Sequence, residues 1–401
     1  MNSIHNFSEI APLKTVLMHR PGKEFANLTP NTLQRLLFDD IPDLPLAEKE
    51  HDAFAKAFRD EGVKVVYLTD LTAQALDTGP EVREQFLRQF IREGGCPASL
   101  EEKVYAYLNR LEDNRELISQ CIAGIDSSEL ELDFHAFYTC QDAGKMILDP
   151  LPNVYAPRDP WATIGNTVSL HRMTSVTRCR ETIFGEYIFR YHPEYKGTKL
   201  VYDRYAAHHI EGGDIQVLNA ETVAVGISER TEPDAIADLA RNLFRDSASS
   251  FRRVIAVLIP KSRSFMHLDT VMTRVDTDKF VVHSEVMSVA SFYEITPGKE
   301  DLCIREIHDS LDKVLEKYLG LEKVHLILCG NGNRIAAERE QWSDGANTIC
   351  IRPGTVIAYD RNHITNDALR KAGIKVIEIP SCELSRGRGG PHCLTMALVR
   401  E

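Results

Sequence analysis

Apolar positions along the chain gather into short β-branched runs, and an amphipathic stretch ending at glycine precedes several of them. Phe58-Arg59-Asp60-Glu61-Gly62-Val63-Lys64-Val65-Val66 and Leu369-Arg370-Lys371-Ala372-Gly373-Ile374-Lys375-Val376-Ile377 are the clearest copies. Looser ones run from Leu315 to Cys329, broken at Gly320, and from Leu239 to Ile259. Glycine supplies the left-handed helix terminus, and the run that follows is short enough for a buried strand. Val16-Leu17-Met18-His19-Arg20-Pro21-Gly22 is echoed by Ile349-Cys350-Ile351-Arg352-Pro353-Gly354. Repeated strand and helix units near both ends predict a pseudo-symmetric α/β body, although a doubly wound sheet is punctuated in the same way.

One region breaks this rhythm. From about Thr72 to Gln141 the pattern is helical, with Val82, Phe86 and Phe90 at i, i+4 and i+8. Ser99-Leu100-Glu101-Glu102 reads as a capping box ahead of Val104, Leu108 and Leu111. An inserted helical domain over residues 73–141 is therefore expected, dividing a catalytic α/β body into residues 1–72 and 142–401, with a strand resuming at Met146-Ile147-Leu148. Further on, Thr231 with Asp234 and Thr365 are the expected caps of two more helices.

Composition narrows the function classes. A formal charge of -12 over 401 residues argues against non-specific nucleic-acid binding. No stretch approaches the ~18 apolar residues of a membrane span, and Met1 to Leu13 lacks the apolar core of a secretory leader, so a cytoplasmic location is expected. The nine cysteines form no C-x-x-C pair, which indicates neither a disulfide framework nor a cysteine zinc site. No phosphate-binding G-x-x-x-x-G-K-[ST] loop and no G-x-G-x-x-G after a strand occurs.

Four segments carry more charge and turn chemistry than a fold requires. Leu384-Ser385-Arg386-Gly387-Arg388-Gly389-Gly390-Pro391-His392 delivers Cys393 to the entrance of the last apolar run, where backbone amides and guanidinium charge are expected to favour thiolate. Cys96, Cys121, Cys140, Cys179, Cys303, Cys329, Cys350 and Cys382 lack that setting and read as small buried hydrophobes. In Pro152-Asn153-Val154-Tyr155-Ala156-Pro157-Arg158-Asp159-Pro160, prolines fix the backbone around a carboxylate. Ile210-Glu211-Gly212-Gly213-Asp214 places two carboxylates around a diglycine turn, and Met266-His267-Leu268-Asp269 would present His267 and Asp269 on one face of a strand. A surface turn, a hairpin and a core histidine are the bland alternatives. Together the segments supply a nucleophile, an acid/base, an orienting carboxylate and spare carboxylates, a set suited to thiol chemistry on a cationic substrate. His208-His209-Ile210-Glu211 and His267-x-Asp269 offer metal-ligand types, but their spacing fits no standard zinc motif.

Glu211-Gly212-Gly213-Asp214, Gly226-Ile227-Ser228-Glu229-Arg230-Thr231, Met266-His267-Leu268-Asp269-Thr270 and Arg386-Gly387-Arg388-Gly389-Gly390-Pro391-His392-Cys393 strongly resemble the arginine deiminases. The similarity runs from Phe7-Ser8-Glu9-Ile10 and Leu37-Phe38-Asp39-Asp40-Ile41-Pro42 to the C-terminus. It implies a five-fold pseudo-symmetric α/β propeller with an inserted helical domain, and hydrolysis of L-arginine to L-citrulline and ammonia in arginine catabolism, without metal or organic cofactor. By the resemblance Cys393 is the nucleophile, His267 the acid/base and Glu211 its orienting carboxylate, while Asp159 and Asp269 grip the guanidinium. Asn153, Arg178 and Arg230 match the positions that bind the α-carboxylate, and Gly387 with Arg388 a mobile loop over the site. The family forms dimers or tetramers, so a homo-oligomer acting on a small guanidino substrate is expected. Ala156 departs from the pattern, standing where phenylalanine usually walls the guanidino end. Either Trp161 refills that space or a bulkier guanidino compound is accepted. An amidinotransferase and a catalytically silent amino-acid-binding protein are the alternative readings.

Overall fold

The computed structural model describes residues 3–130, 146–261 and 265–401. Five separate sheets make up its β-structure, and in each a pair of antiparallel strands is extended by a third strand parallel to the second. β1 (Leu13–Met18) leads through the Leu44–Asp60 helix to the parallel strand β2 (Lys64–Tyr67), in register Val16 to Val65. β3 (Trp161–Ile164) and β4 (Thr167–Leu170) form a hairpin, and the Glu181–Tyr191 helix returns the chain to the parallel strand β5 (Leu200–Tyr202). β6 (Ile215–Asn219), β7 (Thr222–Ile227), the Pro233–Arg245 helix and β8 (Arg253–Leu258) repeat the pattern. So do β9 (Met272–Arg274), β10 (Lys279–Val282), the Leu311–Leu319 helix and β13 (His325–Leu328). The hairpin of β11 (Ser291–Pro297) and β12 (Leu302–Ile307) extends the sheet of β8 instead. β14 (Ile349–Arg352), β15 (Thr355–Tyr359), the His363–Lys371 helix and β16 (Lys375–Ile379) form the next sheet, and β17 (Met396–Arg400) pairs antiparallel with β1. The last strand thus completes the sheet that the first began.

The glycines that marked these units lie in the left-handed region, with φ of 80° at Gly62, 68° at Gly320 and 86° at Gly373. An L-residue there would strain against its own Cβ, so glycine ends the helix and releases the chain into the strand. The echo between Val16 to Gly22 and Ile349 to Gly354 has a different meaning from the one expected. β1 is a middle strand, whereas β14 is the outer strand of its sheet and Gly354 the turn into β15. The two segments occupy unequal places.

Between β2 and β3 the helices Leu68–Leu76, Pro80–Glu93, Glu101–Asn109 and Asn114–Ala123 follow one another. Residues 131–141 of the expected insertion, and Cys140, lie outside the described residues. Phe86 and Phe90 pack their rings on Phe184, and Phe86 meets Tyr187 edge to face. This explains why the Glu181–Tyr191 helix is buried from Glu181 to Phe189: helices cover one side of it and the β3–β4 sheet the other. Arg204 fastens the same junction, donating to Glu93 at 3.0 Å and to Glu186 at 2.9 Å.

Local signals fail where tertiary contacts claim the side chain. The Glu101–Asn109 helix follows Leu100 as its N-cap rather than Ser99. The Thr231 hydroxyl bonds Asp214, leaving Glu232 at the N-cap, and Thr365 sits inside its helix with its hydroxyl on Glu340. Met146-Ile147-Leu148 makes a single bridge from Leu148 to Ile125 and no strand. Cys96, Cys121, Cys329 and Cys350 are buried as expected, but Cys382 is exposed, and Cys179 and Cys303 are partly so.

Candidate active site

Each sheet contributes one segment to a common centre, always just ahead of the outer strand that pairs antiparallel with its neighbour. Asp159 precedes β3, Glu211 precedes β6, His267 and Asp269 precede β9, Asn347 precedes β14 and Cys393 precedes β17. Met266 to Asp269 is not the strand expected. His267 is the N-cap of a short helix, Leu268–Val271, pinned by Asp214, whose Oδ1 accepts from the Leu268 N–H at 2.8 Å. Asp214 also accepts from Ser228 and Thr231 at 2.7 and 2.6 Å, so this carboxylate holds backbone rather than facing the centre. The diglycine is required by crowding, since a Cβ on Gly213 would stand 2.5 Å from His267 Nδ1.

His267 Nε2 donates to Glu211 Oε2 at 2.9 Å, and its Nδ1 lies 3.7 Å from Asp159 Oδ1. Burial lowers its affinity for a proton, but the Asp159 charge and the Glu211 hydrogen bond outweigh that and raise its pKa to about 9. Glu211 is driven well below the carboxylate range by His267 and Arg230, against its own burial. Arg158 is not paired with Asp159 as a surface turn would have it. Its Nε donates to the Thr395 carbonyl at 3.0 Å, tying this segment to the cysteine loop.

Cys393 is buried, and its thiol donates to Asp269 Oδ2 at 3.5 Å while the Asn347 amide donates to the sulfur at 3.2 Å. Burial first, then the charges of Asp269, Asp159 and Asp344, push the thiol well above its ordinary range. The expected guanidinium support is absent, because Arg388 stacks on Trp342 with 4.0 Å from its guanidinium carbon to the ring. The resting sulfur is therefore a neutral thiol.

A cavity of about 20 Å³, room for about one water, is lined by Asn153, Asp159, Arg178, Arg230, His267 and Cys393, with Ala156, Leu37 and Met266 on its apolar side and Gly387, Arg388 and Gly389 closing it. Trp161 packs on Phe189 and Gly185 and does not refill the space beside Ala156. Arg178 donates to Asp159 Oδ2 at 2.8 Å and to Glu181 Oε2 at 2.8 Å, and Arg230 lies 3.7 Å from Glu211. Asn153 donates to the Leu36 carbonyl at 2.7 Å. Three buried carboxylate oxygens around the sulfur, Asp159 Oδ1, Asp269 Oδ1 and Asp344 Oδ1, have no hydrogen-bond partner. Asp159, Glu211 and His267 form the one group among the described residues whose ligand atoms, within 4.8 Å of one another, could hold a metal ion. Arg178 and Arg230 pair with the two carboxylates of that group.

The sequence model described as arginine deiminase matches residues 34–400. An arginine deiminase of Treponema denticola is 50% identical over 407 residues, covering 100% of this chain and 99% of its own. One from Clostridium perfringens is 47% identical over 403 residues, covering 98% and 97%. The chain belongs to the arginine deiminase family. Its fold is also that of a more distant solved structure: an amidinotransferase from Microseira wollei in the saxitoxin biosynthetic pathway superposes with TM-score 0.56 at 15% identity, covering 100% of this chain and 98% of its own.

All ten site residues expected from the sequence meet at this one cavity or at its wall: Cys393, His267, Glu211, Asp159, Asp269, Asn153, Arg178, Arg230, Gly387 and Arg388. Sequence reasoning missed Asn347, Asp344 and Glu181, and passed over His392 although it was quoted. The His392 ring sits between Asp269, 2.8 Å from Nδ1, and Glu9, 3.2 Å from Nε2. Asp344 accepts from the Gly389 N–H at 3.1 Å. Asp344-Gly345 was legible as a turn, but nothing local says that such a turn meets a cysteine 49 positions on.

Proposed function

We propose that this chain hydrolyses L-arginine to L-citrulline and ammonia through a covalent amidino intermediate on Cys393. Two of the unpartnered oxygens, Asp159 Oδ1 and Asp269 Oδ1, carry the reading. Buried acceptors left empty call for a donor, and a guanidinium offers planar N–H groups of the right charge beside the sulfur. Ion pairs then exchange on binding. The substrate's guanidinium displaces Arg178 from Asp159, and its α-carboxylate receives Arg178 together with Arg230 and Asn153.

The chemistry follows from where protons sit. A bound cation offsets the carboxylates that hold the thiol neutral, so Sγ attacks the guanidinium carbon as its proton passes to Asp269 Oδ2, which it already faces. The new S–C bond is followed by C–N cleavage, the departing nitrogen taking a proton from His267 and leaving as ammonia. Neutral His267 next removes a proton from water, whose oxygen bonds to the same carbon. The S–C bond breaks, the sulfur recovers its proton from Asp269, and the hydroxyl on the carbon gives up its proton to solvent, leaving the neutral ureido product and regenerating the site. Citrulline production by the wild type and by Cys393→Ser tests the scheme: loss of turnover is expected, and a variant at full rate would sink it.

Ala156 favours one second reading, a guanidino compound bulkier than arginine, because among the described residues no phenylalanine, tyrosine or tryptophan ring lines the cavity. Rates with arginine, canavanine, methylated arginines and agmatine separate the two. Agmatine, lacking a carboxylate, should be poor in either case. Transfer of the amidino group to an added amine would instead mark an amidinotransferase.

The proposal extends to the whole chain: the five sheets are the blades of a pseudo-symmetric propeller, residues 73–141 an inserted helical domain, and the assembly a cytoplasmic homo-oligomer. The common position of the site segments, each ahead of an outer antiparallel strand, supports the blades, and the free cysteines suit a reducing compartment. No helix among the described residues is long and apolar enough to cross a membrane.

A further inference from the structure

The sulfur of Cys393 has one N–H donor among the contacts of the described residues, and it comes from Asn347, a residue outside every sequence signature above. Asn347 is fully buried and its amide is fully used. Oδ1 accepts from the backbone N–H of Cys393 at 3.0 Å and of His392 at 3.1 Å. Nδ2 directs one hydrogen at the Asp269 carbonyl, 3.0 Å away, and the other at Cys393 Sγ, 3.2 Å away. The amide cannot be turned over, because a flip would set its NH2 against two backbone donors.

We propose that Asn347 is a catalytic group, its side-chain N–H stabilising the Cys393 sulfur each time that atom becomes negative. The inference rests on the deimination reading. Sulfur is anionic twice per cycle: as the thiol proton passes to Asp269 and the S–C bond forms, and as that bond breaks and the thiolate leaves. The charges that bear most on Sγ oppose it, since Asp269, Asp159 and Asp344 are carboxylates and Tyr155 and Tyr359 are buried phenols whose charged forms would add to the repulsion. The cations on the same cavity have other work: His267 serves the leaving nitrogen, Arg178 and Arg230 the α-carboxylate, and Arg388 stacks on Trp342. A neutral donor at fixed distance stabilises sulfur without drawing a carboxylate toward itself, as donors do at an oxyanion.

Asn347→Asp tests this, because aspartate keeps acceptors for the two backbone N–H groups and loses the donor to sulfur. Alkylation of Cys393 by iodoacetamide, followed against pH by mass spectrometry, should slow about 10-fold or more at neutral pH with its midpoint moved up. kcat for arginine should fall about 100-fold with KM within about threefold, since no substrate-binding group is touched. An unchanged alkylation profile overturns the proposal. Alkylation needs no arginine, so a shifted profile in a chain that does not turn arginine over would leave Asn347 standing and remove the deiminase reading. Should the variant fail to fold, the Asn347 side-chain amide resonance in the wild type should move in step with ionisation of Cys393, and a resonance indifferent to it overturns the assignment.

Discussion

At the scale of single residues, the centre keeps its charges apart until substrate joins them. His267 is a cation at neutral pH because Asp159 and Glu211 overcome its burial, while Cys393 is neutral because burial and three carboxylates act in the same direction. The chemistry needs protonated His267 at the first step, so the rate should fall as pH rises through about 9, the value to which its pKa is raised. A profile of citrulline formation from pH 6 to 10 checks this. The same shift is a stability statement. A folded pKa above the unfolded ~6.5 contributes stability that is complete below that value and is lost by about 9, so melting temperature should decline across that window and should not in His267→Gln. Asp269→Asn replaces a gripping oxygen by a donor and should lower kcat/KM for arginine by about 100-fold or more, and it also weakens the buried contact with His392.

Secondary-structure elements show what the sequence made legible and what it hid. Helix, glycine and strand sit within about ten residues of one another, so the repeat could be read from local pattern. The caps could not, because Thr231 and Thr365 spend their hydroxyls on Asp214 and Glu340 from other parts of the chain. Nor could the closing pair β1 and β17, which joins the two ends. In the site the polar segments announced themselves by composition, whereas Asn347 lies in an ordinary turn and takes its meaning from Cys393. The cysteine loop is the element most exposed to test. Gly389 has φ of 107°, and a Cβ there would meet the Cys393 Cβ at 3.1 Å. Gly389→Ala should therefore strain the loop and displace the sulfur, lowering kcat while the far helices keep their stability. Kinetics beside a urea melt would show it.

For the molecule as a whole, the helices between β2 and β3 are secured by an aromatic contact and a charged one. Phe86→Ala removes a fully buried ring facing Phe184 and Tyr187 and should cost about 3–5 kcal/mol, read as a lower urea midpoint. Arg204→Ala removes the buried cation that bridges Glu186 and Glu93, leaving Glu186 to Arg190, Gln89 and Tyr205, and should destabilise the same junction. Neither residue touches the cavity, so surviving enzyme should keep its KM. The cavity itself, at about 20 Å³, holds no arginine. Tyr155 and Tyr359 latch the loop shut, donating to the Arg388 and Gly389 carbonyls at 2.8 and 2.9 Å. On the proposed reading, each turnover undoes those bonds to admit arginine and undoes them again to release citrulline. An enzyme built this way has its speed limit in the surrounding liquid as much as in its chemistry: thickening the solvent with glycerol or sucrose should slow it, and a slow substrate such as a methylated arginine should barely notice.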